Sequence, residues 1–251
     1  DDVVTSVNQK LEHLAKPVQE TLMKAACIGQ TFSLETLASV LKQPEAKVEL
    51  GIKAAEKEHL ILGANSVSAS NSGASGTDLF DGRTYFTFSH TRVRQAALSL
   101  LPPPNKRMTR LELGRLLLAG YDEARLKQEI FVVVDHLNEG FRYMETDEER
   151  LHLAGLNHKA GKRAFDTGAY EAAVWYLNMG LGLLPPDKWE RFHRKSCLLF
   201  EDAIRAEYFN CNFPRVHMLA EELAAHAEIP EKIAGARKFQ ILAHTAQGDR
   251  D

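Results

Sequence analysis

A mainly α-helical chain in two parts is the predicted fold class, and three observations carry that prediction. Apolar residues recur at spacings of three and four along most of the chain, the period that gathers them on one face of a helix. The clear exception is Arg83-Thr84-Tyr85-Phe86-Thr87-Phe88-Ser89, an alternating aromatic and polar run that reads as a strand with Tyr85 and Phe86 on opposite faces. The triplet Pro102-Pro103-Pro104 then divides a mixed first part from a second part that is helical nearly throughout, because proline lacks the backbone donor a helix needs.

In the first part, Val7, Leu11, Leu14, Val18, Leu22 and Ala25 mark a helix from residue 7 to 26, with Pro17 as a breakpoint. A second helix is predicted over 34–41, with Ser33 as its N-cap, Glu35 in the first turn where a negative charge suits the helix dipole, and Pro44 beyond its end. A third is predicted over 45–59. The stretch 63–82, rich in Ser, Gly, Ala and Asn, holds too little apolar surface to order itself and is expected to be a flexible loop. Three helices, a strand, this loop and the returning strand at 83–89 outline a winged-helix domain over residues 1–104, the loop serving as a long wing. A last helix is predicted from Thr91 to Leu100.

The second part, 105–251, is expected to be an antiparallel α-helical array with helices over 107–120, 124–137, 147–165, 170–183, 189–209, 213–227 and 231–246. Short connections make neighbours antiparallel. Gly161, Ala164, Tyr170, Ala173, Leu177, Gly180 and Pro185 fall at the spacings of a tetratricopeptide-like (TPR-like) helical pair, small residues marking close approach. One constant offset pairs Phe165 with Tyr208, Tyr170 with Phe213 and Val174 with His217, which predicts a second, degenerate unit over 189–227. Such units present contact surface rather than reactive groups, and an irregular bundle without a groove is the competing reading. The absence of an initial Met and a helical pattern that stops at Asp251 lead us to expect that both ends are cuts in a longer chain, with the array continuing past Asp251.

Composition excludes several function classes. With 251 residues, 44% hydrophobic and 26% charged, the chain should fold, and a formal charge of -3 supplies no global field for nucleic acid or an anionic membrane. The third predicted helix sets Lys47, Lys53 and Lys57 against Glu45, Glu49, Glu56 and Glu58, which disfavours DNA reading. By contrast, residues 83–115 hold Arg83, Arg92, Arg94, Lys106, Arg107, Arg110 and Arg115 against the single acid Glu112, an asymmetry suited to phosphate or an acidic partner, or to a solvated face. No apolar run approaches the roughly 20 residues that cross a bilayer, and the three separated cysteines, Cys27, Cys197 and Cys211, fit reduced thiols in a cytoplasmic protein. No phosphate-binding glycine loop, kinase catalytic loop, hydrolase elbow or zincin helix occurs, so no complete catalytic site is expected within these residues. His193 and Cys197 have the i, i+4 spacing of two metal ligands, but no second pair completes a site and no metal is expected.

The run Phe86-Thr-Phe-Ser-His-Thr-Arg-Val-Arg-Gln-Ala-Ala-Leu-Ser-Leu-Leu-Pro resembles a segment of large multidomain signalling ATPases, where a strand ends in Phe-x-His-Asp and continues Arg-Val-Gln-Gln-Ala-Ala-Tyr-Ser-Leu-Ile-Pro. Further matches are Leu113-Gly-Arg-Leu-Leu-Leu, His136-Leu-Asn-Glu-Gly, Glu149-Arg-Leu-His-Leu-Ala-Gly-Leu-Asn, Ala160-Gly-Lys-Arg-Ala and the run from Ala169 to Leu184. The chain is thereby similar to the STAND/AAA-type ATPase region of fungal-type hybrid sensor histidine kinases, which carry protein-kinase-like, ATPase, GAF, histidine kinase and receiver domains. That resemblance implies a regulatory segment, itself without catalysis or bound cofactor, whose partners are the adjacent ATPase, sensory and kinase domains of a histidine-kinase parent. ATP or ADP and Mg would then sit in an ATPase domain outside these residues. It also implies that His90, at the end of the winged-helix strand, senses a nucleotide phosphate with Arg92 and Arg94 beside it. Thr91 stands where the family has Asp, and Leu98 where it has Tyr. One other reading stays open, a helical-repeat scaffold that binds a protein or peptide without nucleotide; a DNA-binding regulator is the third class considered, and from the charge balance of the third helix no nucleic-acid binding is expected.

Overall fold

The structure, a computed structural model, describes residues 10–11, 13–63 and 84–248. The expected wing loop falls outside them except for Gly63. The described chain is mainly helical and separates into two compact units, residues 1–120 and 121–251.

After helical residues at 10, 11 and 13, the first unit continues with α1 (Lys16–Ile28), which carries Pro17 in its first turn, where a missing N–H costs nothing. The predicted breakpoint thus lies at the start of this helix. A strand that the periodicity did not reveal follows, β1 (Thr31–Ser33), too short to show alternation. Ser33 then caps α2 (Leu34–Leu41) by accepting from the Thr36 N–H, as its residue type predicted. After α3 (Glu45–Lys57) come β2 (Ile61–Gly63) and β3 (Tyr85–Phe88). The sheet order is β1-β3-β2, antiparallel throughout, with Phe32 opposite Phe86 and Ile61 opposite Phe88. Phe86 and Phe88 point inward and meet Phe32 with ring centroids 6.2 and 5.7 Å apart. These rings close a core with Leu22, Leu37 and Ile52, all at 0% exposure. At the third helix, Gly51 lets α3 approach α1, since a Cβ there would lie 3.0 Å from Thr21 Oγ1.

Beyond β3, α4 spans Thr91–Ser99 and α5 spans Pro103–Gly120. Prolines 103 and 104 start α5 as well as following α4, and α5 belongs with the first unit. The units therefore divide after Gly120, later than the expected boundary at residue 104. The reason is tertiary: Lys24 Nζ donates to Thr109 Oγ1 at 2.7 Å, Lys42 pairs with Glu112 at 3.0 Å, and Leu111 and Leu113 are buried.

The second unit runs α6 (Glu123–Gln128), α7 (Ile130–Gly140), a 3-10 turn (Phe141–Tyr143), α8 (Asp147–Asp166), α9 (Tyr170–Gly182), α10 (Lys188–Arg191), α11 (His193–Phe209), α12 (Phe213–His226) and α13 (Pro230–Gln247). Two helices expected to be continuous are each broken. The helix predicted over 124–137 divides at Glu129, where Arg163 donates to the Lys127 and Gln128 carbonyls and so satisfies a helix end. The one predicted over 189–209 divides at Phe192, where Ser196 Oγ donates to Lys188 O. Both interactions reach outside the local period.

The close approaches fall where the small residues predicted them. A Cβ on Gly161 would lie 2.5 Å from Leu177 Cγ, and one on Gly180 3.2 Å from Leu199 Cδ2. Contacts between the first helices of neighbouring hairpins also repeat. From α8 to α11, His158 meets Asp202 and Phe165 meets Phe209; from α11 to α13, Glu201 meets Lys232 and Tyr208 meets Phe239.

Candidate functional site

His90 stands at the junction of β3 and α4, where extended backbone becomes helix. It is the N-cap of α4: Nδ1 accepts the Arg92 N–H at 3.1 Å, satisfying one of the helix's orphan donors. With Nδ1 used as an acceptor, Nε2 carries the ring's donor, and the side chain is exposed. Arg92 is exposed on the first turn. Arg94, one further along the predicted trio, turns inward and donates from Nε to Ala26 O at 3.0 Å, tying α4 to the end of α1. Burial, and then the neighbouring Arg110, hold its guanidinium below the ordinary arginine range. The structure therefore leaves His90 and Arg92 together at the surface and commits the Nε of Arg94 to packing. Arg83 lies outside the described residues.

His193 and Cys197 do meet, with Nε2 and Sγ 3.5 Å apart. Burial first, then Glu201, raises the Cys197 thiol, so it stays protonated and donates to the imidazole. Trp189 packs against His193, Phe200 and His226, the last in a stack with centroids 4.7 Å apart. This is a packed aromatic corner. Among the described residues no group of three or more His, Cys, Asp or Glu side chains is placed to hold a metal.

The sequence pattern did not single out the polar networks between the helices of the second unit. Asn138 and Asn157 exchange two amide hydrogen bonds, 2.9 and 2.8 Å, in the buried seam of α7 and α8. Tyr176 donates to Asp135 at 2.9 Å, and burial together with that bond pushes its phenol well above the usual range. On the seam of α8 and α11, His158 Nε2 lies 2.6 Å from Asp202 Oδ2, with Lys162 at 3.7 Å. Burial alone would raise the Asp202 carboxyl, but the bond from His158 and the charges of His158, Lys162 and Arg205 outweigh it and hold the group below the ordinary carboxylate range.

A fourth network borders a cleft of about 510 Å³ lined by α9, α11 and α12. Its floor holds Glu207, 1% exposed, whose two oxygens accept from Asn178 Nδ2 at 2.7 Å and Asn212 Nδ2 at 2.8 Å. Asn178 Oδ1 in turn accepts from Arg215 Nη2 at 3.3 Å. The offset already visible in sequence places Glu207 where the preceding pair has buried Ala164, but only packing shows what the carboxylate meets.

These features define a mainly helical protein of two compact units, the first with a three-stranded sheet and an exposed histidine at a strand-to-helix junction, the second with polar networks along its helical seams. No helix among the described residues is long and apolar enough to cross a membrane. The chain is similar to the hybrid signal transduction histidine kinase G of Dictyostelium discoideum, with 22% identity over 295 residues that take in 98% of this chain and 8% of that protein. The likeness is distant, runs through both units, and makes this chain the counterpart of a small part of a much longer relative. No protein-family model matches the chain, and no solved structure matches it.

Proposed function

We propose that the chain is a regulatory and interaction segment of a signal-transduction protein of the hybrid histidine kinase kind, coupling the nucleotide state of a P-loop ATPase domain to phosphorelay modules. The observation that carries this reading is the likeness to a hybrid histidine kinase along 98% of the chain. In this reading the first unit is a STAND-type winged-helix domain, supported by the order α1-β1-α2-α3-β2-β3 and the sheet order β1-β3-β2. His90 is its phosphate sensor: an exposed Nε2 donor beside the exposed Arg92 fits a nucleotide phosphate offered by a docking domain. Nucleotide and Mg belong to that other domain, and this chain contributes hydrogen-bond donors alone. Phosphotransfer belongs to the kinase core of the parent, in the cytoplasm.

The second unit is a TPR-like array in this reading, supported by the repeated seam contacts of α8, α11 and α13 and by the glycines at close approaches. Trp175 and Met218, 47% and 60% exposed, fall at equivalent positions of the two pairs and offer apolar surface to neighbouring domains. Docking and release of the first unit on the ATPase would be the two-state element passed onward through this surface.

The test uses a protein that carries this segment together with its P-loop domain and kinase core. Because His90 also caps α4, His90→Ala removes both cap and donor, whereas His90→Asn keeps the cap and loses the imidazole. The sensor role predicts altered nucleotide retention or basal kinase output in both variants. Unchanged values in His90→Asn reject it. The repeated seams equally favour a second reading, a scaffold that binds a protein or peptide without nucleotide; it predicts kinase output that follows Trp175→Ser but ignores His90→Asn.

A further inference from the structure

The cleft between α9 and α12 contains a cation that makes no direct ion pair among the described residues, the carboxylate of Glu207 being held one amide away. Arg215 is half-buried, and its one hydrogen-bond partner there is the neutral Asn178. It also sits in the first turn of α12, the end where a helix dipole disfavours positive charge. Asn212, the N-cap residue, gives its amide to Glu207 instead of accepting from the helix, so that end of α12 has no side-chain cap. The other cation of the cleft, Lys188, is already paired with Glu222 at 3.0 Å.

The buried network explains how Arg215 is aimed. Glu207 takes the Asn178 amide N–H, which fixes the amide so that Oδ1 faces Arg215. A buried carboxylate thereby serves as a strut for a guanidinium at the cleft wall, the arrangement of a site whose orienting shell is already in place. Among its polar lining the cleft also presents the half-buried apolar side chains of Val174 and Leu181, whereas Phe200 and Leu219 are buried. The cleft volume, about 510 Å³, lies within the range of about 300–1,000 Å³ usual for ligand sites.

From this geometry we infer that the α9–α12 cleft binds an extended peptide segment of a partner, with one carboxylate paired to Arg215 and a neighbouring apolar side chain against Val174 and Leu181. The charge balance selects a single carboxylate over a phosphate: Glu207 and Glu222 both border the cleft and would repel a dianion, whereas one guanidinium matches one carboxylate in a bidentate pair. The inference rests on the second unit being a contact surface, and adds the chemistry of what it contacts.

The test is fluorescence anisotropy of the 251-residue chain with two labelled, acetylated hexapeptides, one of alternating Leu and Glu and the other of alternating Leu and Gln. The acidic peptide should bind at least about tenfold more tightly, the size of one charge-assisted contact. Arg215→Gln should erase that preference, and Arg215→Lys should keep part of it, with circular dichroism unchanged in both. Asn178→Ala, which removes the positioning amide, should weaken the acidic peptide while leaving the neutral one alone. Equal binding of the two peptides, a preference that survives Arg215→Gln, or binding of neither overturns the inference. If neither binds while Trp175→Ser still changes kinase output in the intact protein, the cleft falls and the contact-surface reading stands; output indifferent to Trp175→Ser removes that reading also.

Discussion

Gly168 and Cys211 hold the same place in two successive helical hairpins, and both have left-handed backbone, with φ of 79° and 59°. Each sits in the turn after the first helix of its pair. In both turns the next residue's N–H reaches back to the helix end at 2.9 Å, Ala169 to Ala164 O and Asn212 to Glu207 O. The backbone demands the same conformation twice, and one unit meets it with a residue that carries a Cβ.

Cys211→Gly is therefore expected to stabilise the chain by about 0.5–1 kcal/mol, the left-handed cost of a side chain less the entropy glycine adds to the unfolded state. Gly168→Ala, with no atom within 4 Å of an added Cβ, should lose about 1 kcal/mol from backbone conformation alone. Urea unfolding of the two variants checks both signs; equal shifts in one direction would refute the equivalence.

Gly161→Ala forces a Cβ to within 2.5 Å of Leu177 Cγ and 3.3 Å of Ala173 O. The α8–α9 hairpin must open, at a cost of about 1–3 kcal/mol. Leu177→Ala in the same chain should recover part of that loss, so a double-mutant cycle will show coupling well beyond additivity.

The His158–Asp202 pair predicts a pH dependence. The Asp202 carboxyl is held below its ordinary value, so its contribution is complete above the unfolded-state value of about 3.9 and is lost as pH falls from there through the lower folded value. Asp202→Asn should destabilise the chain by about 1 kcal/mol at pH 7, a modest figure because both side chains keep some surface in water. The gap between variant and wild type should shrink to nothing at strongly acid pH, as read by unfolding midpoints across pH 2–7.

His90→Ala should lower the stability of the first unit by about 1 kcal/mol through loss of the α4 cap, while His90→Asn should leave it unchanged. Equal losses in both variants would show that the ring matters for packing and not for the cap alone.

How much of this was legible in sequence differs by element. The Ser33 cap and α2 were, because the cap and the amphipathic period both operate within one or two turns. The offset that relates Phe165 to Tyr208 and Tyr170 to Phe213 was also visible, and those residues flank the two equivalent turns. β1 was not, since a three-residue strand has no periodicity to read and exists because Phe32 pairs with Phe86 across the sheet. Nor were the breaks at Glu129 and Phe192, beside which Arg163 takes the Lys127 and Gln128 carbonyls and Ser196 donates to the Lys188 carbonyl. At the candidate site, His90 and its place after a strand were readable, but the inward turn of Arg94 depends on the carbonyl of Ala26, 68 residues away.

By itself, then, the sequence determined the helical class, the proline-marked change of character, the close helix approaches at Gly161 and Gly180 and the short list of charged residues after β3. Each follows from burial periodicity, backbone donors or φ preferences, quantities set by near neighbours. Tertiary structure alone decided that α5 joins the first unit, that Arg92 and not Arg94 accompanies His90 at the surface, and that Glu207 aims Arg215 into a cleft. Those outcomes depend on which helices pack together, and hydrogen bonds across such seams join residues that no local period relates.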